Sequence, residues 1–196
     1  MDKYPFDILD ECVINTQQVL KNGQPILNRN GDETPWLTQI YRGIGINYPK
    51  FFKMDNLCKA GILATEILLN ETAENIPDVR PDWSIILINS ASSLDDDRHY
   101  QVTIQQPGNY YPSPSVFVYT LANIVTGEIA IRHKIGGESS FYILPAFDRQ
   151  RWLQIVAMCF RANPETRHLI TGWVDYDEEK CDVQLFHIAA RAPKKD

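Results

Sequence analysis

Four cysteines in 196 residues, each far from the next, exclude the paired Cys-x-x-Cys spacing of a zinc site and the density of a disulfide framework. Cys12, Cys58, Cys159 and Cys181 read instead as reduced thiols packed as small hydrophobes. Basic charge is also scarce: 19 Lys and Arg against 25 Asp and Glu give a formal net charge of −6. With a pI near 5.2 the chain lacks the basic footprint that nucleic acid requires, and the same balance disfavours a membrane surface. No apolar run approaches the length of about 18 residues at which a membrane span becomes plausible. Met1 to Asp7 has no basic region followed by an apolar core, so no secretory signal is read there and a cytoplasmic location is expected. Gly-x-Ser-x-Gly elbows are absent, and Gly43-Ile44-Gly45 has no third glycine at the spacing of a phosphate-binding fingerprint.

What is present is ordinary globular material, 44% hydrophobic and 22% charged, enough for one domain over residues 1–196. Residues 8–15 and 24–28 flank the turn signal Lys21-Asn22-Gly23-Gln24 and read as a hairpin. Residues 29–38 are polar with a glycine and a proline, hence a loop. From Asp55, which can cap, Leu57, Ile62, Leu63, Ile67 and Leu68 recur at helical spacing to about Asn70, and Gly61 within them predicts close approach to a neighbour. A proline-bearing loop from Asn75 to Asp82 leads to Trp83–Asn89, an apolar run of the type buried on both faces of a sheet.

Asp95, Asp96 and Asp97 could offer oxygen ligands, but consecutive side chains cannot converge on one ion and three acids suit a helix N-terminus, so no metal is expected. Further strands are read at 168–174 and 182–190, separated by a charged turn, and the tail from Arg191 reads as frayed. The alternation of elements predicts an α/β fold with a mixed, mostly parallel sheet and helices on both faces. His168 and His187, on or beside strands, read as hydrogen-bonded structural residues, and His99 as exposed.

The stretch from Tyr110 to Asp148 reads as one unit. Pro112 and Pro114 set a helix start near Ser115, and the following residues, Val116 to Arg132, are apolar nearly all round, which predicts a buried helix. Gly136-Gly137 ends it; Ser139–Leu144 then reads as a short buried strand, Pro145 as its stop and Asp148 as the cap of a helix over 149–161.

This order resembles the N-terminal half of a β-ketoacyl synthase, a condensing enzyme of thiolase-like fold. Ser113-Pro114 matches the lead-in to its helix, Asn123 the helix asparagine, Gly137 the turn and Ser139–Leu144 the strand, while Lys53-Met54-Asp55 is similar to the segment opening its first long helix. Similarity is greatest to the short ketosynthase-like proteins of bacterial aryl-polyene or flexirubin-type pigment clusters. The resemblance places the nucleophilic cysteine at Ala146, where a methyl group cannot form the acyl thioester. It places two assisting histidines on a second half, and His99, His133, His168 and His187 match neither.

The resemblance therefore implies a non-catalytic subunit of a fatty-acid or polyene-type acyl-chain system, without cofactor. It would form a homodimer, or a heterodimer with a full-length ketosynthase, and could meet an acyl carrier protein. Candidate interface residues are Phe141, Tyr142, Ile143, Leu144 and Asn123; candidate acyl-pocket residues are Phe117, Leu121 and Phe147. Two alternatives stay open: a binding module for an acyl chain or acyl carrier protein, and an acyltransferase or thioesterase with another nucleophile. Cys159 is the thiol closest to the relevant helix, but burial would keep its thiolate scarce.

Overall fold

A computed structural model describes residues 4–71, 76, 78–108 and 111–191. Tyr110, the expected loop at Asn75 and Pro77, and the tail beyond Arg191 lie outside the described residues. The elements in chain order are β1 (Phe6–Ile14), β2 (Gln18–Lys21), β3 (Gln24–Asn28), α1 (Trp36–Ile44), a 3-10 turn at Pro49–Lys53, α2 (Asn56–Leu69), β4 (Trp83–Asn89) and α3 (Leu94–Ile104). They continue with α4 (Pro114–Phe117), a 3-10 turn at Val118–Thr120, α5 (Ile124–His133), β5 (Ser139–Ile143), α6 (Arg149–Ala162), β6 (His168–Asp177) and β7 (Lys180–Ala190).

The strands form one sheet in the order β3-β2-β1-β7-β6-β4-β5. An α/β fold with a mixed sheet is what the sequence predicts, but parallel pairing is the minority. β4 pairs β5 and β6 in parallel, while the other neighbours are antiparallel. The cause is local. Asn22 and Gly23 both have positive φ and close the β2–β3 hairpin, and Glu178 and Glu179 do the same between β6 and β7. Two-residue turns can join only antiparallel strands. The expected pairing of 8–15 with 24–28 is corrected as well, because β2 lies between them.

Alternation along the central strands supplies two cores. Ile85 and Leu87 of β4, with Ile170 and Val174 of β6, face a layer made by α1, α2 and α5. Ile86 and Ile88, with Leu169 and Trp173, face α6 through Trp152 and Val156. Every residue of β4 after Trp83 is buried, as expected of a strand covered on both sides. Gly61 lets α2 and α5 touch: a Cβ there would meet Val125 Cγ2 at 2.5 Å. Asp55 accepts from the Cys58 amide and caps α2, and Asn70 ends it in the left-handed region.

The continuous helix expected over Val116–Arg132 is broken. α4 and α5 meet at 98°, because the Ser93 hydroxyl donates to the Thr120 carbonyl at 2.6 Å and the Ile124 amide bonds back to Leu121 instead. Asn123, expected mid-helix, is the exposed residue at the α5 start. Among the described residues no single helix is long and apolar enough to cross a membrane.

Candidate functional site

β5 delivers the chain to the end of the sheet where the parallel strands finish. Leu144 N–H still donates to Asn89 O at 2.8 Å, and Pro145 then turns the backbone out of the sheet. Ala146 is exposed. Phe147 folds back into the α6 layer, with its ring 6.1 Å from Trp152 and 6.2 Å from Trp173. Asp148 Oδ1 accepts from the amides of Gln150 and Arg151 at 2.8 and 3.0 Å and caps α6. Ala146 thus sits between a strand end and the positive end of α6, whose first turn is exposed, a position where helix N–H groups favour an anionic nucleophile. Its side chain is a methyl, and the Asp148 carboxylate already accepts from two of the first amides.

Gly137 fixes this geometry, and the thiol of α6 lies away from it. A Cβ on Gly137 would lie 2.3 Å from the Trp83 carbonyl oxygen, so only glycine lets the turn from α5 into β5 pass so close to β4. Cys159 is buried, and burial pushes its thiol up to about 11. It lies ten residues beyond Arg149, hence about 15 Å along α6 from the first turn. It does not reach position 146.

β5 closes one edge of the sheet, which corrects the expectation of a buried strand. The parallel ladder fixes which groups are unpaired. Ile85 N–H donates to Glu138 O and Leu144 N–H to Asn89 O, each at 2.8 Å. Ser140 and Tyr142, in step with these, point their amides and carbonyls to β4, and those of Ser139, Phe141 and Ile143 point away. β5 has no Lys, Arg, Asp, Glu or Pro, the residues that ordinarily protect a sheet edge. Ile143 is 56% exposed, and Phe117, Val118, Leu121 and Ile131 on α4, the turn after it and α5 are about half exposed or more.

The acyl-pocket candidates are not brought together. Phe117 is exposed beside Tyr100 of α3, and Leu121 is exposed at the helix break. Phe147 packs in the α6 layer. Of the interface candidates, Phe141 packs toward the α2/α5 layer and Tyr142 and Leu144 toward the α6 layer.

Sequence reasoning missed a polar cluster at the same end of the sheet. Asp96, in the first turn of α3, is buried, and with Asp55 nearby its carboxyl is pushed up to about 6, chiefly by burial. Burial pushes Asp55 and the Tyr119 hydroxyl up too, while Lys50 binds Glu128 at 2.6 Å. The cluster ties α2, α3 and α5 together; the charge run Asp95–Asp97 was the available signal, read only as a helix start. At the opposite end of the sheet His168 Nδ1 and His187 Nε2 lie 3.1 Å apart, both rings stacked on Trp83. They are hydrogen-bonded as expected and far from Ala146.

Comparison with known proteins gives fold but no sequence family: no family model and no curated protein matches the chain. Solved structures do match. The ishigamide ketosynthase/chain length factor aligns with a TM-score of 0.67 at 11% identity, covering 94% of this chain and 62% of that one. A ketosynthase in complex with its chain length factor from Xenorhabdus doucetiae gives 0.62 at 12% identity, covering 97% and 81%. A type II polyketide acyl-carrier protein in complex with its ketosynthase bound to the hexaketide gives 0.61 at 10%, covering 96% and 63%. The fold is that of ketosynthase and chain length factor proteins. At these identities the likeness carries the fold alone, and this chain spans about three fifths of the ishigamide chain.

Proposed function

We propose that this protein is a non-catalytic ketosynthase-like subunit of an acyl-chain biosynthesis system of the fatty-acid or polyene type, acting by pairing with a full-length ketosynthase through the β5 edge. The single observation that carries the reading is Ala146 at the end of β5, a methyl group at the mouth of a helix whose first amides are already capped by Asp148. A thioester needs a thiolate or an equivalent nucleophile within reach, and Cys159 lies about 15 Å along α6 from its first turn. What supports pairing is the uncharged, unpaired outer edge of β5, with Ile143 exposed on it and Ile131 exposed on the adjoining α5. The named neighbours include a ketosynthase in complex with its chain length factor, and that division between a catalytic and a companion chain is the one proposed here. An acyl carrier protein would then dock chiefly on the catalytic partner, in keeping with the acidity of this chain.

The test is incubation with acyl thioesters followed by intact-protein mass spectrometry, with pull-down of the tagged chain from its native host. The wild type and Cys159→Ala should both stay unacylated, and a full-length ketosynthase should co-purify in equal amount. A covalent acyl adduct on the wild type that Cys159→Ala abolishes would overturn the reading in favour of an acyltransferase.

A further inference from the structure

At the end of the sheet opposite Ala146, where the parallel strands begin, a cavity of about 600 Å³ opens between the β2–β3 hairpin, the C-terminal ends of α1 and α2, and α5. Its size falls within the roughly 300–1,000 Å³ of small-molecule sites. Ile26, Ile44, Ile46 and Ile67 form its apolar side, and polar residues line the rest, among them the cations Lys21 and Arg132 and the carboxylates Glu66 and Glu71.

Among the described residues, the charges at the cavity and on the groups paired to its lining do not balance. Arg132 spends Nε on Glu66 Oε1 at 2.5 Å and lies over the Tyr48 ring, 4.6 Å from its centroid. Its two terminal nitrogens make no hydrogen bond to a described residue. Glu71 is taken by Arg80 at 2.7 Å. Lys21 donates to the Leu68 carbonyl at 3.2 Å and has no carboxylate within ion-pair distance among the described residues. Lys21 and Arg132 balance Glu66 and Glu71 in the lining itself, and among the described residues Arg80, which binds Glu71 from outside the lining, brings one positive charge more. The buried ring of His133, 3.7 Å from Glu66 and 3.9 Å from Glu71, brings no negative charge to offset it. This excess sits in a chain of net charge −6, so it is not part of a generally basic surface.

We propose that this cavity binds a small apolar carboxylate. The carboxylate would sit on Lys21 Nζ and the terminal nitrogens of Arg132, a planar donor fork that matches two oxygens. The hydrocarbon body would lie against the four isoleucines. A monoanion neutralises the excess of one charge, whereas a phosphate dianion would overshoot it and meet Glu66 and Glu71 close by. The 47% exposed side chain of Ile26 would be covered by the bound ligand.

The test uses the full chain and three probes: 4-methylpentanoate, its uncharged amide, and inorganic phosphate, followed by ligand-observed NMR and isothermal titration. 4-Methylpentanoate should bind saturably, with the amide and phosphate at least ten-fold weaker. Lys21→Met, which keeps the apolar stem, should weaken the carboxylate ten-fold or more and leave the amide unchanged. Ile26→Asp, at a half-exposed position, should abolish binding without lowering the melting temperature, and it answers the question if Lys21→Met fails to fold. No binding at millimolar concentration, equal binding of the amide or phosphate, or a Lys21→Met or Ile26→Asp variant that binds as the wild type would each overturn the proposal.

Discussion

Replacing Ile143 with Lys should separate folding from assembly. Ile143 is 56% exposed at the end of β5, so the chain itself should tolerate the change within about 0.5 kcal/mol, the usual range for surface positions. A paired strand would cover that exposed half, a contribution of about 1–1.5 kcal/mol on the scale of about 1.5–3 kcal/mol for burying a whole isoleucine. Each strand-to-strand hydrogen bond made by the outward groups of Ser139, Phe141 and Ile143 would add about 0.5–1.5 kcal/mol net. A lysine removes the apolar contribution and forces an ammonium under the partner strand. The combined loss of about 3 kcal/mol or more corresponds to roughly a hundred-fold or greater rise in Kd. Sedimentation velocity over a concentration series, on the chain alone and with the co-purified ketosynthase, measures it, with thermal denaturation followed by circular dichroism as the folding control. An Ile143→Lys protein that assembles with wild-type affinity would refute the edge-pairing argument.

Three further outcomes follow from the packing. Asp96 holds its proton up to about pH 6 in the folded state against an ordinary value of 3.8, so the folded state binds more protons than the unfolded one and stability falls as pH rises from about 4 to 6. Asp96→Asn should remove that fall and melt higher than the wild type at pH 8 in scanning calorimetry. His187 is pushed down to about 4 by burial and by His168, so its contribution has the opposite sign: it is present above pH 6.5 and is lost as pH drops toward 4. His187→Phe, which keeps a ring over Trp83, should flatten the acid limb at the cost of one hydrogen bond, as read by urea denaturation at pH 5 and 7. Glu178 and Glu179 occupy positive φ in a two-residue turn, so replacing them with Asn-Gly should raise unfolding stability by about 1 kcal/mol; an unchanged urea midpoint would refute it.

Much of the fold is legible where a residue type has one physical use. Asp55 as a cap, Gly61 against Val125, Asn70 as a left-handed stop and Asp148 at the start of α6 follow from side chains that satisfy amides or vacate space locally. α1 was hidden by the glycine and proline that make 29–38 read as a loop, whereas the helix already begins at Trp36. Its signal is Trp36, Leu37, Ile40, Tyr41 and Ile44, spaced for one helix face, with Pro35 just before them. The break at Leu121–Asn123 has no local cause, since the donor that diverts the Thr120 carbonyl is Ser93, on another element.

The sequence by itself determined the α/β class, the buried strand β4, the capped helices α2 and α6, and the methyl group at position 146, because propensity, capping and alternation act over a few residues. Only the tertiary structure decided that β7 lies between β1 and β6 and that β5 is an edge. It also decided that Phe147 packs in the α6 layer while Phe117 is exposed beside Tyr100, and that Lys21 and Arg132 share a cavity. Those outcomes depend on contacts between residues distant in the chain, which no local pattern encodes.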